Sequence, residues 1–481
     1  INGVSQQPPS LRLASQCEVQ ENGMVTIAEG LKKRPPLEHV AKITNKTDTD
    51  AKVHFIDRSD TERFVLLLAS NQFDAAFSSD FTGTEIELTD LSGNAQSING
   101  DTGDALTYIT TSDARDNLRL FTVADYTFIL NKQTTIAKSA TVSSSRAPEG
   151  IIFIKQASSA TTFKVFLNGV SVGSITADAD ADTLVSNVAT AMSSVSGFTI
   201  TKFGSSNVHV TRSDGADFTL HAEAPEANMI AIKDSVVDFT DLPARTKDGF
   251  TIKITGDPSS GTDDYWLTHN NQADQDVGEW VETVEPGLAN SLDETTMPLQ
   301  LVRTSEDPWD ASFSADYGET VFSLDTITWT ERLAGDEVTS PDPTFVGETL
   351  NDMFFHKNRL GFLANENVIL SELGEHFNFY ATTATDLLDT DMIDLASPTN
   401  KVSILHNAIS FNENLLLFSD FGQFKLTEFA AGGLTPTNAK LSLLTEYEHD
   451  KLVQPVVNGR KVYFSDENDG FSVLREFGIV E

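Results

Sequence analysis

The sequence predicts a mainly β protein: a β-propeller, only part of it contained in this chain, with an inserted α+β domain and an extended N-terminal arm. Three observations carry that prediction. Short apolar runs divided by Gly, Asn and Asp fill most of the 481 residues, as strands and tight turns do. One block, 147–296, adds helical spacing to that texture. A strand–turn motif recurs with its serines 48 and 46 residues apart, about the length of one four-stranded propeller blade.

Residues 1–40 read as the arm. Pro8-Pro9 and Pro35-Pro36 each push the preceding residue out of the helical region, and little periodicity lies between them. Residues 41–146 read as the first propeller strands, beginning near Lys42 with the runs Phe64–Leu68, Glu85–Leu88 and Leu118–Leu130. Ile86–Asn94 alternates and then turns, the pattern of a half-buried strand. In block 147–296, Ile151–Ile154 and Phe163–Leu167 lead to the turn pair Asn168-Gly169 and then Val170–Ile175, a predicted hairpin. Thr183–Val195 carries Leu184, Val188 and Met192 at helical spacing, with Asp182 as the predicted N-cap. Strands are predicted near Phe198–Phe203, Val208–Thr211 and Phe250–Ile254.

Residues 297–481 hold the repeat. Asn365–Glu372, Asn412–Asp420 and Asn458–Asp466 each give a polar turn, an apolar strand and a Ser-acid pair. A β-solenoid or sandwich would give similar spacing. If Leu118–Leu130 is also blade material, block 147–296 interrupts the propeller, and a closed ring would need blades from beyond Glu481.

Charge narrows the function. Against 33 Lys+Arg stand 71 Asp+Glu, a net charge of −38, with 8 basic and 8 acidic residues in positions 1–60. The remaining 421 residues therefore hold 25 basic and 63 acidic. A body this acidic repels phosphate and cannot grip nucleic acid by counterion release, so contact with DNA would be transit. No run of about 18 apolar residues exists, which excludes a membrane-spanning helix. The sequence begins at Ile1 with no apolar leader to read as a signal peptide. Cys17 is the single cysteine, so neither an intrachain disulfide nor a Cys-based zinc cluster can form, and a reducing compartment fits.

No catalytic constellation stands out. Gly169-Val170-Ser171-Val172-Gly173 matches a nucleophile elbow but falls in the predicted hairpin. Asp178, Asp180 and Asp182 imitate a calcium loop that lacks the required Gly and Glu, and they suit a helix start instead. Asp386, Asp389, Asp391 and Asp394 read as a solvated loop, and His356, His376 and His406 as structural. No phosphate-binding Gly-rich loop is present. Lys32-Lys33-Arg34 could touch phosphate, but beside Pro35-Pro36 a protein partner fits as well.

The segments Gly3–Pro8 and Glu29–Pro36 resemble the opening of the nozzle proteins (tail tubular protein B) of short-tailed phages. The resemblance continues through Asp116–Arg119, Thr122–Ile129, Asn351–Phe355, Asn358–Leu363, Phe377–Tyr380 and Ile393-Asp394, in the family's order. Met24 stands where a Trp is expected. The resemblance implies a structural virion protein, not an enzyme, with no cofactor and no metal. It implies a propeller with a platform domain inserted at 147–296, a homo-oligomeric (hexameric) ring below the tail adaptor, and phage genomic DNA passing through the bore. Tail fibres and the host outer surface are the further partners implied, and the location is the virion tail, assembled in the host cytoplasm. The arm is the expected adaptor or subunit contact, through Gln6, Gln7, Pro8, Arg12, Lys32, Lys33, Arg34, Pro35 and Pro36. The alternative is a propeller enzyme or adhesion module acting on host surface glycans, for which no carboxylate pair can be picked out.

Overall fold

A computed structural model describes residues 4–478 except 6, 27, 29, 42–49, 61, 70–85, 101–102, 159–161, 177, 225–227, 257–263, 272–277, 305–320 and 430–431. Gly3, Gln6, Glu29, Lys42, Glu85 and Glu481, all named above, lie outside the described residues.

The chain opens with a hairpin, β1 (Gly23–Thr26) and β2 (Gly30–Lys33). A three-stranded sheet follows, β3 (Lys52–Asp57), β4 (Arg63–Leu68) and β5 (Ile86–Asp90). After β6 (Ser97–Gly100) come two short helices, α1 (Asp104–Ile109) and α2 (Ala114–Asn117), and the hairpin β7 (Leu118–Val123) and β8 (Tyr126–Asn131). The chain then leaves, and returns as β20 (Leu299–Thr304) and β21 (Val321–Asp325), giving a five-stranded sheet in the order β6-β21-β20-β8-β7. β20 pairs with β8, Leu299 opposite Ile129, so one sheet holds strands from both sides of the excursion.

Two four-stranded meanders come next. The first is β22 (Asp352–His356), β23 (Arg359–Ala364), β24 (Asn367–Leu370) and β25 (Ile393–Ala396). The second is β26 (Leu405–Phe411), β27 (Asn414–Ser419), β28 (Gln423–Glu428) and β29 (Ala439–Thr445). A three-stranded sheet ends the described chain, β30 (Val456–Asn458), β31 (Lys461–Asn468) and β32 (Phe471–Gly478).

These five sheets stack face to face in chain order, because alternate residues of each strand point to opposite faces. In β22 and β23, Met353 and Phe362 join an apolar layer with Phe128 and Leu130 of the five-stranded sheet. Their neighbours Phe354 and Leu363 join the opposite layer with Leu415 and Leu417. One residue on, Leu416 and Phe418 pack with Val462 and Phe464 of the last sheet. Strands covered on both faces become continuous apolar runs, as in the wholly buried β23. One edge strand of each sheet also meets the next in sequence: β3 lies against β7, β7 against β22, β22 against β26, and β26 against β30.

The excursion has cores of its own. It holds β9 (Glu149–Ile154), β10 (Thr162–Leu167), β11 (Val170–Thr176), helix α3 (Ala181–Met192), β12 (Phe198–Phe203) and β13 (Asn207–Arg212). It continues with β14 (Leu220–Glu223), β15 (Met229–Ile232), β16 (Ser235–Val236), β17 (Thr251–Ile254), β18 (Tyr265–Asn271) and β19 (Gly278–Thr283). Leu184, Val188 and Met192 of α3 are buried against β10 and β13. Asn168 and Gly169 both have positive φ (51° and 77°), as the two-residue β10–β11 turn requires.

Three expectations change. The arm is not wholly extended: Asn22 (φ 52°) and Gly30 (φ 72°) take left-handed conformations at the ends of the β1–β2 hairpin. The N-cap of α3 is Asp180, which accepts the N–H of Thr183 at 2.8 Å; Asp182 lies one turn position too late and meets Lys202 at 2.6 Å instead. The first repeat sits one strand out of phase with the other two. Asn412 and Asn458 open the second strand of their sheets, whereas Asn365 opens the third; the equivalent turn is Lys357-Asn358, also at positive φ. Both hairpins share a polar turn before an apolar strand, so sequence pattern alone does not separate them. Helices α1 and α2 carry too few turns to give a readable period.

Candidate assembly surface

The expected contact residues fall into two closed substructures within the arm. In the first, the Pro8 carbonyl accepts the N–H groups of Leu11 (2.9 Å) and Arg12 (3.1 Å). Arg12 reaches back to the Gln7 carbonyl at 3.1 Å and across to Glu18 at 2.9 Å. Ser5 N donates to the Cys17 carbonyl at 2.9 Å, which closes the loop. In the second, Lys32 and Lys33 lie on β2, all of whose residues are exposed, and Arg34 donates to the Asn22 side chain at 2.8 Å. Pro35 and Pro36 follow, exposed. Hydrogen bonding thus groups Gln7, Pro8 and Arg12 together and Lys32 to Pro36 together.

The same region leaves large apolar side chains unburied. Leu11, Leu13, Val19, Leu31, Leu37 and Val40 are exposed, Leu37 to 90%, and among the described residues no buried core cluster contains one before Ile56. Exposed apolar side chains at this density make the region a candidate docking surface.

The other residues singled out in the sequence take structural roles. Ser171 lies on exposed β11, far from an elbow geometry. Among the described residues no group of His, Cys, Asp and Glu is arranged to hold a metal ion. The acidic run 386–394 is not a solvated loop throughout. Asp391 is buried and accepts the N–H groups of Thr382 and Leu388, while Asp394 accepts from Thr344 and Asn367. Long connections need internal acceptors for their own N–H groups, and these carboxylates supply them. His356 meets Ser410, His376 meets Asn358, and His406 meets Asp420.

Charged residues buried between sheets were not foreseen. Arg119 of β7 donates to Asp352 of β22 at 2.6 Å, and the other oxygen of Asp352 accepts the N–H of Ala408 in β26 at 2.8 Å. One carboxylate therefore ties three consecutive sheets. Arg359, fully buried, donates to the carbonyls of Ser371, Thr390, Asp391, Asp389 and Leu434. Burial pushes its guanidinium below its ordinary pKa. Glu282 at the end of the excursion accepts from Thr383 (2.8 Å), Ala384 N (2.9 Å) and Thr385 (2.9 Å), docking β19 onto the first meander. The available signal was a charge inside an apolar strand, as in Asn351-Asp352-Met353-Phe354.

Tail tubular protein gp12 of Escherichia phage T7 is 32% identical over 501 aligned residues, covering 100% of this chain. The chain spans 58% of the length of that relative. Among solved structures, the phage phi92 endosialidase aligns over 91% of this chain and 69% of its own, at 9% identity and a TM-score of 0.21, a likeness too small to carry an argument. The bacteriophage nozzle protein family matches residues 1–481, end to end. The chain belongs to the bacteriophage nozzle protein family.

Proposed function

We propose that the chain is a subunit of a hexameric nozzle ring that forms the distal DNA-ejection channel of a short phage tail, below the adaptor. The observation that carries this is the family match over all 481 residues. The stacked sheets support a propeller reading: five sheets packed in chain order, with one edge strand of each meeting the next, are blade-like. On that reading residues 1–40 are the arm, 41–146 the first blades, 147–296 the inserted platform domain and 297–481 further blades. Pairing of β8 with β20 across the insert supports those divisions.

The exposed apolar arm meets the adaptor or a neighbouring subunit, and the acidic body lets DNA slide. Like charge repels phosphate within a Debye length of about 8–10 Å, which limits sticking during ejection. Electron microscopy of the assembled protein, alone and with the adaptor, tests the reading. Sixfold rings stacked on the adaptor support it, and a dispersed monomer that never joins the adaptor refutes it. Removing residues 1–36 is expected to leave a folded protein that no longer enters the tail.

A further inference from the structure

A cleft of about 310 Å³ opens where the connection from β25 to β26, residues 397–404, runs past the β27–β28 turn. Its walls are held by bonds of their own. In the connection, Thr399 Oγ1 donates to the Lys401 carbonyl at 2.8 Å and meets Ser403 Oγ at 3.0 Å, while Ser403 N donates to Glu366 at 2.7 Å. In the turn, the Ser419 hydroxyl accepts the N–H groups of Phe421 and Gly422. Gly422 fits there because it has no side chain. A Cβ would fall 2.9 Å from both Leu443 Cδ1 and the Thr445 carbonyl, so glycine lets the turn lie against the end of β29.

Two kinds of surface line this cleft. Phe421, 51% exposed, and Leu443 give an apolar side. Asn400, Lys401 and Glu446 give a polar side, and among the described residues none of these three side chains makes a hydrogen bond or ion pair. The wider clefts of the molecule differ, because their charged side chains are spent on one another. Arg58 is bound to Asp125 and Glu62, Lys164 to Glu223, and Arg212 to Asp214. Uncommitted donors and acceptors converging beside an apolar wall are the features of a ligand site.

We propose that this cleft binds a neutral saccharide, with the C–H face of its ring on Phe421 and its hydroxyls on Asn400, Lys401 and Glu446. A hydroxyl both donates and accepts, so a carboxylate, an ammonium and an amide can all satisfy it. One carboxylate and one ammonium leave the polar side without net charge. A protein of net charge −38 also repels anions, which disfavours an acidic sugar. The electron-rich face of Phe421 suits the C–H face of a sugar ring. A volume of about 310 Å³ lies at the small end of ligand clefts and suits a short saccharide. Every lining residue comes from one chain, so the site does not rest on ring assembly.

The test titrates the purified full chain with glucose, galactose, mannose and N-acetylglucosamine, followed by saturation-transfer NMR. Glycerol and glucuronate are the controls. At least one of the four sugars should saturate a single site per chain. Glycerol, which has hydroxyls but no ring face, should give no saturable response, and glucuronate should bind more weakly than the sugar that saturates. Phe421→Ala should weaken binding about three- to tenfold, the loss of one stacking contact. Its melting temperature should not change, because the ring is half exposed. Phe429→Ala removes an exposed ring that does not line the cleft and should leave binding unchanged. If Phe421→Ala does lower the melting temperature, Asn400→Ala, at an exposed position, must show the loss instead. The proposal is overturned if none of the four sugars saturates, or if Phe421→Ala folds normally and binds as the wild type does. An equal loss in Phe429→Ala, or a glycerol response equal to that of the sugars, overturns it too.

Discussion

Replacing Asp352 with Asn tests the idea that one buried carboxylate fastens three sheets. Asp352 is fully buried, and its two oxygens face Arg119 Nε and Ala408 N at 2.6 and 2.8 Å. An Asn side chain keeps one acceptor and presents an amide NH2 at the other position, so whichever way it turns, a donor meets a donor. Breaking a buried pair by removing one partner costs about 3–5 kcal/mol. Arg119 retains 18% exposure of its side chain, so solvent relieves part of its charge and the low end, about 3 kcal/mol, is the expected loss. That is a large fraction of a typical domain's stability of about 5–15 kcal/mol. Urea titration followed by circular dichroism at pH 7 measures it. Adding Arg119→Met to D352N should recover part of the loss, with a coupling of about 1–3 kcal/mol in the double-mutant cycle. If D352N alone costs less than about 1 kcal/mol, the fastening argument is wrong.

Three further outcomes follow from the same geometry. Arg359→Met leaves five carbonyls without their donor and should cost about 3 kcal/mol or more, with faster proteolysis in the 386–391 connection as its local signature; unchanged cleavage would contradict that. Burial pushes His356 and His449 down to about 4 from 6.5, so the unfolded chain binds more protons than the folded chain between those values. Stability is therefore fully present above pH 6.5 and should fall on acidification toward pH 4, by up to about 1.4 kcal/mol per pH unit per histidine; urea midpoints equal at pH 7 and pH 5 would remove this reading. Gly361→Ala would set a Cβ 2.3 Å from the ring of Phe354, so overpacking should cost about 1–3 kcal/mol, and a neutral result would mean the ring can turn aside.

Much of the strand inventory was legible because it is written in local rules. The β10–β11 turn needs two residues at positive φ, and Asn168-Gly169 announces it. Helix α3 has its apolar residues three and four apart, which no strand tolerates. Turn residues fix where strands begin, but not which strand of a sheet each one opens, so Asn365 precedes a third strand where Asn412 and Asn458 precede a second. The arm was legible as a region of unusual composition and balanced charge, while its internal closure by Arg12 and Glu18 was not, since that contact depends on a loop folding back on itself.

Taken alone, the sequence determined the β class, the break in texture at 147–296, the acidic surplus and the family. These depend on residue identity and spacing over short windows, where chemistry and period act without reference to distant chain. Tertiary structure alone decided that β8 and β20 are neighbours across the insert and that Asp352 binds Arg119 233 positions away. Such pairings are selected by the burial of whole sheet faces, and the residues that share a face carry no mark in sequence of which partner they will meet.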